Sequence, residues 1–159
     1  MHFAEYESPV GTLLLTAEDM CLTGLWMNRP KPGEGTEDTS YPVLHKAAQW
    51  LDAYFRGEPG LIDFPLAPKG TAFQKQVWDI LLTIPYGEAR NYGDIAREMA
   101  ARLGKEKMSA QAVGQAVGAN PISIFIPCHR VVGAKGQLTG YAGGLEKKQW
   151  LLKHEGWLI

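Results

Sequence analysis

Two adjacent residues, Cys128 and His129, have the types that nucleophilic chemistry needs. The thiolate is the attacking form of cysteine, and a free thiol near pKa ~8.5 is mostly protonated at neutral pH. An imidazole beside it takes that proton, directly or through a water. A carboxylate then holds the imidazole in one tautomer, as in Cys-His-Asn and Ser-His-Asp sites. The C-terminal half offers Asp79, Glu88, Asp94, Glu98, Glu106, Glu146 and Glu155 for that task, and spacing alone does not choose among them. The alternative is a small buried apolar cysteine beside a hydrogen-bonding histidine. No metal site is expected, because His2, His45, His129 and His154 are scattered and show no ligand spacing with Cys128.

Something must hold this pair. Ile122–Ile126 reads by composition as a buried strand running into Pro127-Cys128-His129-Arg130. Upstream lie three helical patterns. Phe73, Val77, Ile80, Leu81 and Ile84 share one helix face, and Pro85-Tyr86-Gly87 ends that helix. Tyr92, Ile95, Ala96, Met99, Ala100 and Leu103 share another, which Gly104 closes. Ser109 is the expected N-cap of a third helix, Ala110–Val117, closed by Gly118. Its small residues Ala110, Ala112, Gly114 and Ala116 allow close approach, to another helix or to something bulky. Two short helices joined at 104–108 resemble a helix-turn-helix, which periodicity does not separate from any αα-hairpin. Downstream, Leu145–His154 reads as a helix stopped by Gly156.

The first 70 residues are of another kind. His2–Ser8, Thr12–Ala17 and Cys21–Met27 read as strands of an antiparallel meander. Asn28–Ser40 reads as a surface loop. Leu44, Ala47, Ala48, Leu51, Tyr54 and Phe55 make one helix face, with Gly57 as the stop. Pro59, Pro65 and Pro68 mark an extended connection, so a domain boundary is expected there: 1–68 as an N-terminal α/β domain, 69–159 as a helical C-terminal domain.

The whole chain has 159 residues, 45% of them hydrophobic, with net charge −1. That composition excludes disorder as the main state. No run approaches the ~18 apolar residues of a spanning helix, and the N-terminus shows no signal-peptide pattern. Two cysteines, Cys21 and Cys128, make no disulfide framework. A cytoplasmic protein without membrane partners is expected. Residues 1–70 carry five Lys/Arg against ten Asp/Glu, whereas 71–159 carry eleven against seven. The C-terminal half is the one suited to a polyanion.

Ile126-Pro127-Cys128-His129-Arg130-Val131-Val132-Gly133 closely resembles the active-site motif of the O6-alkylguanine-DNA alkyltransferases, also called methylated-DNA–protein-cysteine methyltransferases. Asn120-Pro121-Ile122 stands upstream at the family's spacing. Gly140-Tyr141-Ala142-Gly143-Gly144 and Trp150-Leu151-Leu152 with His154-Glu155-Gly156 stand downstream. The resemblance is strong over 70–159 and holds in outline over 1–69. It implies an α/β protein: a ribonuclease-H-like N-terminal domain on a small antiparallel sheet, and a C-terminal domain with a winged-helix-like helix-turn-helix. It also implies irreversible, stoichiometric transfer of an alkyl group from guanine O6 in double-stranded DNA to Cys128, after base flipping, by a monomer that uses no cofactor.

By the same resemblance His129 is the base, acting through a water, and Glu155 orients it. Tyr92 serves guanine N3, and Asn120 stabilises the turn before the cysteine. Pro127, Val131, Tyr141, Ala142 and Gly143 wall the base pocket, while Ala110, Gln111, Ala112 and Gly114 meet DNA. Arg130 is expected in an ion pair under the site. Two positions depart from the family pattern: Gln111 stands where Arg is usual, and Ala142 where Ser is frequent. Two other readings stay open, a lesion sensor with an unreactive cysteine and a Cys-His hydrolase.

Overall fold

The computed structural model describes residues 1–159, which divide into two compact units, Met1–Lys69 and Gly70–Ile159. In the first, β1 (His2–Ser8), β2 (Gly11–Glu18) and β3 (Cys21–Met27) form the expected meander. Ser8 Oγ accepts from Val10 N and donates to the Gly11 carbonyl, which tightens the first hairpin. Asp19 and Met20 both take positive φ, the geometry of a two-residue hairpin turn matched to strand twist. Gly24 is required on β3, since a Cβ there would collide with the Trp26 ring and the Thr16 hydroxyl.

The sheet is mixed rather than purely antiparallel. Within the segment read as a loop, Thr36–Glu37 forms a two-residue β4 that pairs parallel with His2 and Phe3. A pair this short carries no periodicity of its own, and only β1 creates it. Helix α1 (Pro42–Phe55) packs on β1, β2 and β3 through Val43, Leu44, Ala47, Leu51 and Tyr54. Gly57 at φ 82° ends it, with Gly57 N bonded to the Tyr54 carbonyl and Glu58 N to the Ala53 carbonyl, a Schellman cap. The extended connection then covers the β3 edge, as Leu22 N bonds Pro65 O at 2.9 Å and Ala67 N bonds Leu22 O at 2.8 Å.

In the second unit, α2 (Ala72–Leu81), α3 (Tyr92–Arg102) and α4 (Ala110–Gly118) pack against one another. Thr71 and Gln74 make a capping box on α2. Asn91 and Ser109 accept from Asp94 N and Ala112 N and so start α3 and α4. Gly118 lies inside α4, and Ala119 rather than the glycine caps it. The buried Trp78 indole of α2 donates to the Ala116 carbonyl of α4 at 2.8 Å, which fixes the spacing of the two helices. A two-residue parallel pair joins β5 (Arg90–Asn91) to β6 (Val131–Val132), and α5 (Leu145–His154) closes the unit.

Ile122–Ile126 is not a strand. The segment folds as a buried turn, with Ile124 at φ 71°, a conformation strained for a β-branched residue. Its apolar composition reported burial correctly, but burial does not determine backbone shape. Every residue from Asn120 to Val132 is buried although the first eight, 120–127, belong to no helix and no named strand. The Asn120 side chain makes this possible. Its amide donates to the Ile126 carbonyl at 2.8 Å and its oxygen accepts from Ile122 N at 3.0 Å, satisfying groups that would otherwise be orphaned.

Candidate active site

Cys128 begins a single 3-10 turn, Cys128–Arg130, that follows the Asn120-braced segment. It faces a pocket of about 240 Å³, lined also by Tyr92 of α3, Gly114 and Val117 of α4, and Gly140, Tyr141 and Ala142 of the segment before α5. Burial pushes the Cys128 thiol up, and the side chains of Asn120, Lys148 and Ser123 act in the opposite direction. A group with the wrong pKa for attack therefore sits among groups that ease its ionisation.

Behind the cysteine lies a buried ionic cluster. His129 Nε2 and Glu155 Oε2 are 2.6 Å apart. Arg130 donates to the same carboxylate twice, Nε to Oε1 at 2.7 Å and Nη2 to Oε2 at 3.1 Å, and Gly87 N donates to Oε1 at 3.3 Å. Burial alone would raise the Glu155 pKa. The hydrogen bonds from His129 and Arg130, with the Arg130 charge, outweigh it and hold the carboxyl well below the usual carboxylate range. Burial keeps His129 neutral, against the pull of Glu155. An ionised carboxylate only accepts, so Nε2 carries the imidazole proton and Nδ1 keeps its lone pair. Nδ1 is buried and has no protein partner.

The local sequence explains why Glu155 arrives there. It is the C-cap of α5, and Gly156 at φ 85° turns the chain away immediately after it, with Gly156 N on the Lys153 carbonyl and Trp157 N on the Leu152 carbonyl. The helix stop aims the last carboxylate at the turn carrying His129. Of the seven carboxylates in this half, Glu155 is the one bonded to His129. Arg130 is the ion-pair partner expected of it, and its Nη1 also bonds the Ile84 carbonyl at 2.7 Å.

Tyr92, the first residue of α3, points its hydroxyl at the Thr139 carbonyl at 3.2 Å, on the rim of the pocket. The structure thus brings Cys128, Asn120, Tyr92, Tyr141 and Ala142 to one cavity, with His129 and Glu155 behind it. Pro127, Val131 and Gly143 do not line the cavity. Pro127 is the N-cap of the 3-10 turn, and the Val131 side chain is wholly buried in β6 while its carbonyl bonds Lys148. Of the four α4 residues expected to meet DNA, only Gly114 lines the pocket, beside Val117 and Gly118 of the same helix. Gln111 is exposed, and Ala110 borders a separate groove of about 450 Å³ with Arg97, Lys105 and Lys107.

One residue of the site was not anticipated. Lys148 has no exposed surface, and its ammonium donates to the carbonyls of Val131, Thr139 and Gly140 at 2.5, 2.9 and 3.2 Å. The signal was present in the sequence: Lys148 stands three and four residues before Leu151 and Leu152, on the buried face of α5. No group of three or more His, Cys, Asp or Glu stands close enough to hold a metal ion, and no helix is long and apolar enough to cross a membrane.

A cysteine buried at a pocket, beside a bonded His-Glu pair and among three packed helices, defines a class of site in which a thiol can act as a nucleophile. The chain belongs to the 6-O-methylguanine DNA methyltransferase family: residues 72–157 match its DNA-binding domain and residues 1–68 its ribonuclease-like domain. It is 45% identical over 161 residues to a methylated-DNA–protein-cysteine methyltransferase of Methanosarcina acetivorans, covering 98% of this chain and 99% of that one. A protein of the same name from Mycobacterium bovis is 44% identical over 98% of this chain and 92% of its own. Among solved structures, Mycobacterium tuberculosis OGT in complex with DNA superposes with a TM-score of 0.85 at 43% identity, covering 99% of this chain and 95% of that one.

Proposed function

We propose that this protein repairs O6-alkylguanine in double-stranded DNA, chiefly O6-methylguanine, by moving the alkyl group once and irreversibly to Cys128. The observation that carries the reading is the buried Cys128 thiol facing a pocket, with the His129-Glu155 pair behind it. Guanine O6 lies on the base-pairing edge, so the nucleotide must leave the duplex to reach a buried sulfur. His129 Nδ1, with its free lone pair, takes the thiol proton through one water, and the Glu155 carboxylate stabilises the imidazolium that results. The thiolate attacks the alkyl carbon, the S–C bond forms as the C–O6 bond breaks, and the electron pair stays on O6. A hydrogen bond from Tyr92 to guanine N3 disperses that charge, and the proton taken up by His129, returned through water, lets guanine leave as a neutral base and restores the neutral imidazole. The thioether has no good leaving group, so the protein is spent after one turnover.

On this reading Asn120 holds the turn that aims Cys128, Tyr141 and Ala142 wall the base, and the Ala142 backbone serves where relatives place a serine. The small residues of α4, Ala110, Ala112 and Gly114, let it approach the minor groove. The protein works as a monomer, without a cofactor, in the cytoplasmic compartment that holds the DNA. Incubation with an oligonucleotide carrying O6-methylguanine is expected to add one methyl group to the intact mass, saturate at one equivalent and map to Cys128. Tight binding with no mass change would instead identify a lesion sensor, and repeated turnover of an acyl substrate would identify a hydrolase.

Gln111 is assigned to the gap left by the flipped base. Its exposure on the first turn of α4 suits that place. A neutral amide can bond the orphaned cytosine but lacks the charge and the stacking plane of a guanidinium. Gln111→Arg is expected to speed transfer from duplex DNA several-fold and to leave the reaction with free O6-benzylguanine unchanged. Gln111→Ala should slow only the duplex reaction. Equal duplex rates for all three proteins would remove Gln111 from the gap.

A further inference from the structure

The segment between Gly133 and α5 supplies one wall of the pocket, yet little holds it. Gly133 N bonds the Gln137 carbonyl at 2.7 Å and Gly144 N bonds the Tyr141 carbonyl at 3.0 Å. Between these anchors, residues 138–140 make no backbone–backbone hydrogen bond, and Thr139 and Gly140 are exposed. The carbonyls of Thr139 and Gly140 turn inward to Lys148, and Tyr92 donates to the Thr139 carbonyl as well. The third acceptor of Lys148 is the Val131 carbonyl, directly after the active-site turn. One ammonium therefore joins the wall of the pocket to the strand that follows the nucleophile. No carboxylate stands within ion-pair distance of it, although burying a lone cation is unfavourable. A residue serving α5 packing alone would be apolar here.

We infer that Lys148 is a positioning residue for the alkyl-transfer site: its ammonium pins the strap Thr139–Ala142 onto β6, which closes the pocket wall and sets the Tyr92 hydroxyl through their shared carbonyl. The inference rests on the reading of Cys128 as alkyl acceptor. Its geometry carries a pH signature. Burial lowers the Lys148 pKa to about 8, with Cys128 opposing the shift. The titratable groups that face it are Cys128 and His129 of the active-site turn, and Tyr92 shares its acceptor. Only the ammonium form has three donors for three carbonyls. The strap is therefore held at neutral pH and loosens as the pH rises through about 8, where thiol ionisation by itself would speed the reaction.

Limited chymotrypsin digestion of the full chain reads the strap directly, through nicking after Leu138 or Tyr141 located by mass, with protease activity normalised on a small peptide. In the wild type, nicking is expected to rise as the pH passes 8 and the saturated transfer rate to fall over the same range. Lys148→Met keeps the apolar stem and removes all donors. It should be nicked in the strap at least tenfold faster at neutral pH, transfer at least tenfold more slowly at saturating DNA, bind DNA within twofold of the wild type, and lose the fall in rate above pH 8. Wild-type-like resistance of the strap in Lys148→Met, whatever its transfer rate, would overturn the inference. If that variant fails to fold, the wild-type pH series decides, and strap nicking that does not change between pH 7 and pH 9 overturns it equally. A wild-type protein that accepts no methyl group would refute the alkyl-transfer reading, while the digestion pattern still shows separately whether Lys148 holds the strap.

Discussion

Cys128→Ala is expected to take up no methyl group from O6-methylguanine DNA at any time or concentration, while its affinity for that DNA stays within a few-fold of the wild type. The sulfur is the only acceptor the pocket offers, since Tyr92 and Tyr141, the other side chains there that could ionise, are both raised above the usual phenol range, chiefly by burial. The fold should survive. Replacing a buried thiol by a methyl group removes one heavy atom and leaves a small cavity, a loss of about 1 kcal/mol by analogy with small core truncations. The Asn120 bonds that shape the turn do not involve the thiol and remain. Intact-mass measurement and a DNA-binding titration on the same preparation check both halves. A methylated Cys128→Ala protein would show that the acceptor lies elsewhere.

Glu155→Gln is expected to damage both stability and chemistry. All four hydrogen bonds described for this carboxylate come from donors, His129, Arg130 twice and Gly87. An amide can accept on one side only, so its NH2 group meets donors on the other, and Arg130 is left a buried cation without its anion. Breaking a buried pair in this way costs about 3–5 kcal/mol, which for a chain of this size lowers Tm by roughly 10 °C or more. Transfer should slow at least 100-fold, because the imidazolium loses the charge that stabilises it. Heat melts and single-turnover rates measure the two effects, and a variant that melts normally yet transfers slowly would confine Glu155 to the chemistry.

The same cluster sets the acid limit of the wild type. Burial lowers the folded-state pKa of His129, so the unfolded chain binds that proton first, and stability is lost as the pH falls below the unfolded value of about 6.5. Glu155 is also depressed in the fold. Its contribution is whole above the unfolded carboxyl value of about 4.3 and is lost progressively below it. Melting temperature against pH should therefore fall in two stages, and Glu155→Gln should lack the second.

The helices were legible because packing repeats an apolar position every three or four residues, and several of their ends because Ser109, Gly57 and Gly104 are cap residues by chemistry. The pairs β1–β4 and β5–β6 were not, since two residues carry no period and the partner strand dictates them. Ile122–Ile126 misled because an apolar run states burial without stating backbone shape. Of the candidate site, the Cys128-His129 pair was visible from residue type, whereas the choice of Glu155 among seven carboxylates came from resemblance and became physical only through the cap of α5. Lys148 was hidden by its charge: a lysine on an apolar face is read as solvated until three carbonyls are seen around it.

The unbroken burial from Asn120 to Val132 restricts how this protein can vary. A surface loop such as 28–35 absorbs an inserted residue by bulging into water. The segment that delivers the nucleophile has no slack of that kind. One residue more would force an unpartnered amide into the core or push Cys128 along its turn, and one fewer would part Asn120 from the carbonyl it braces. Side chains here can be exchanged for others of like volume, but the number of peptide units between Asn120 and Cys128 cannot drift, and among descendants of this chain that count should stay constant while lengths elsewhere diverge.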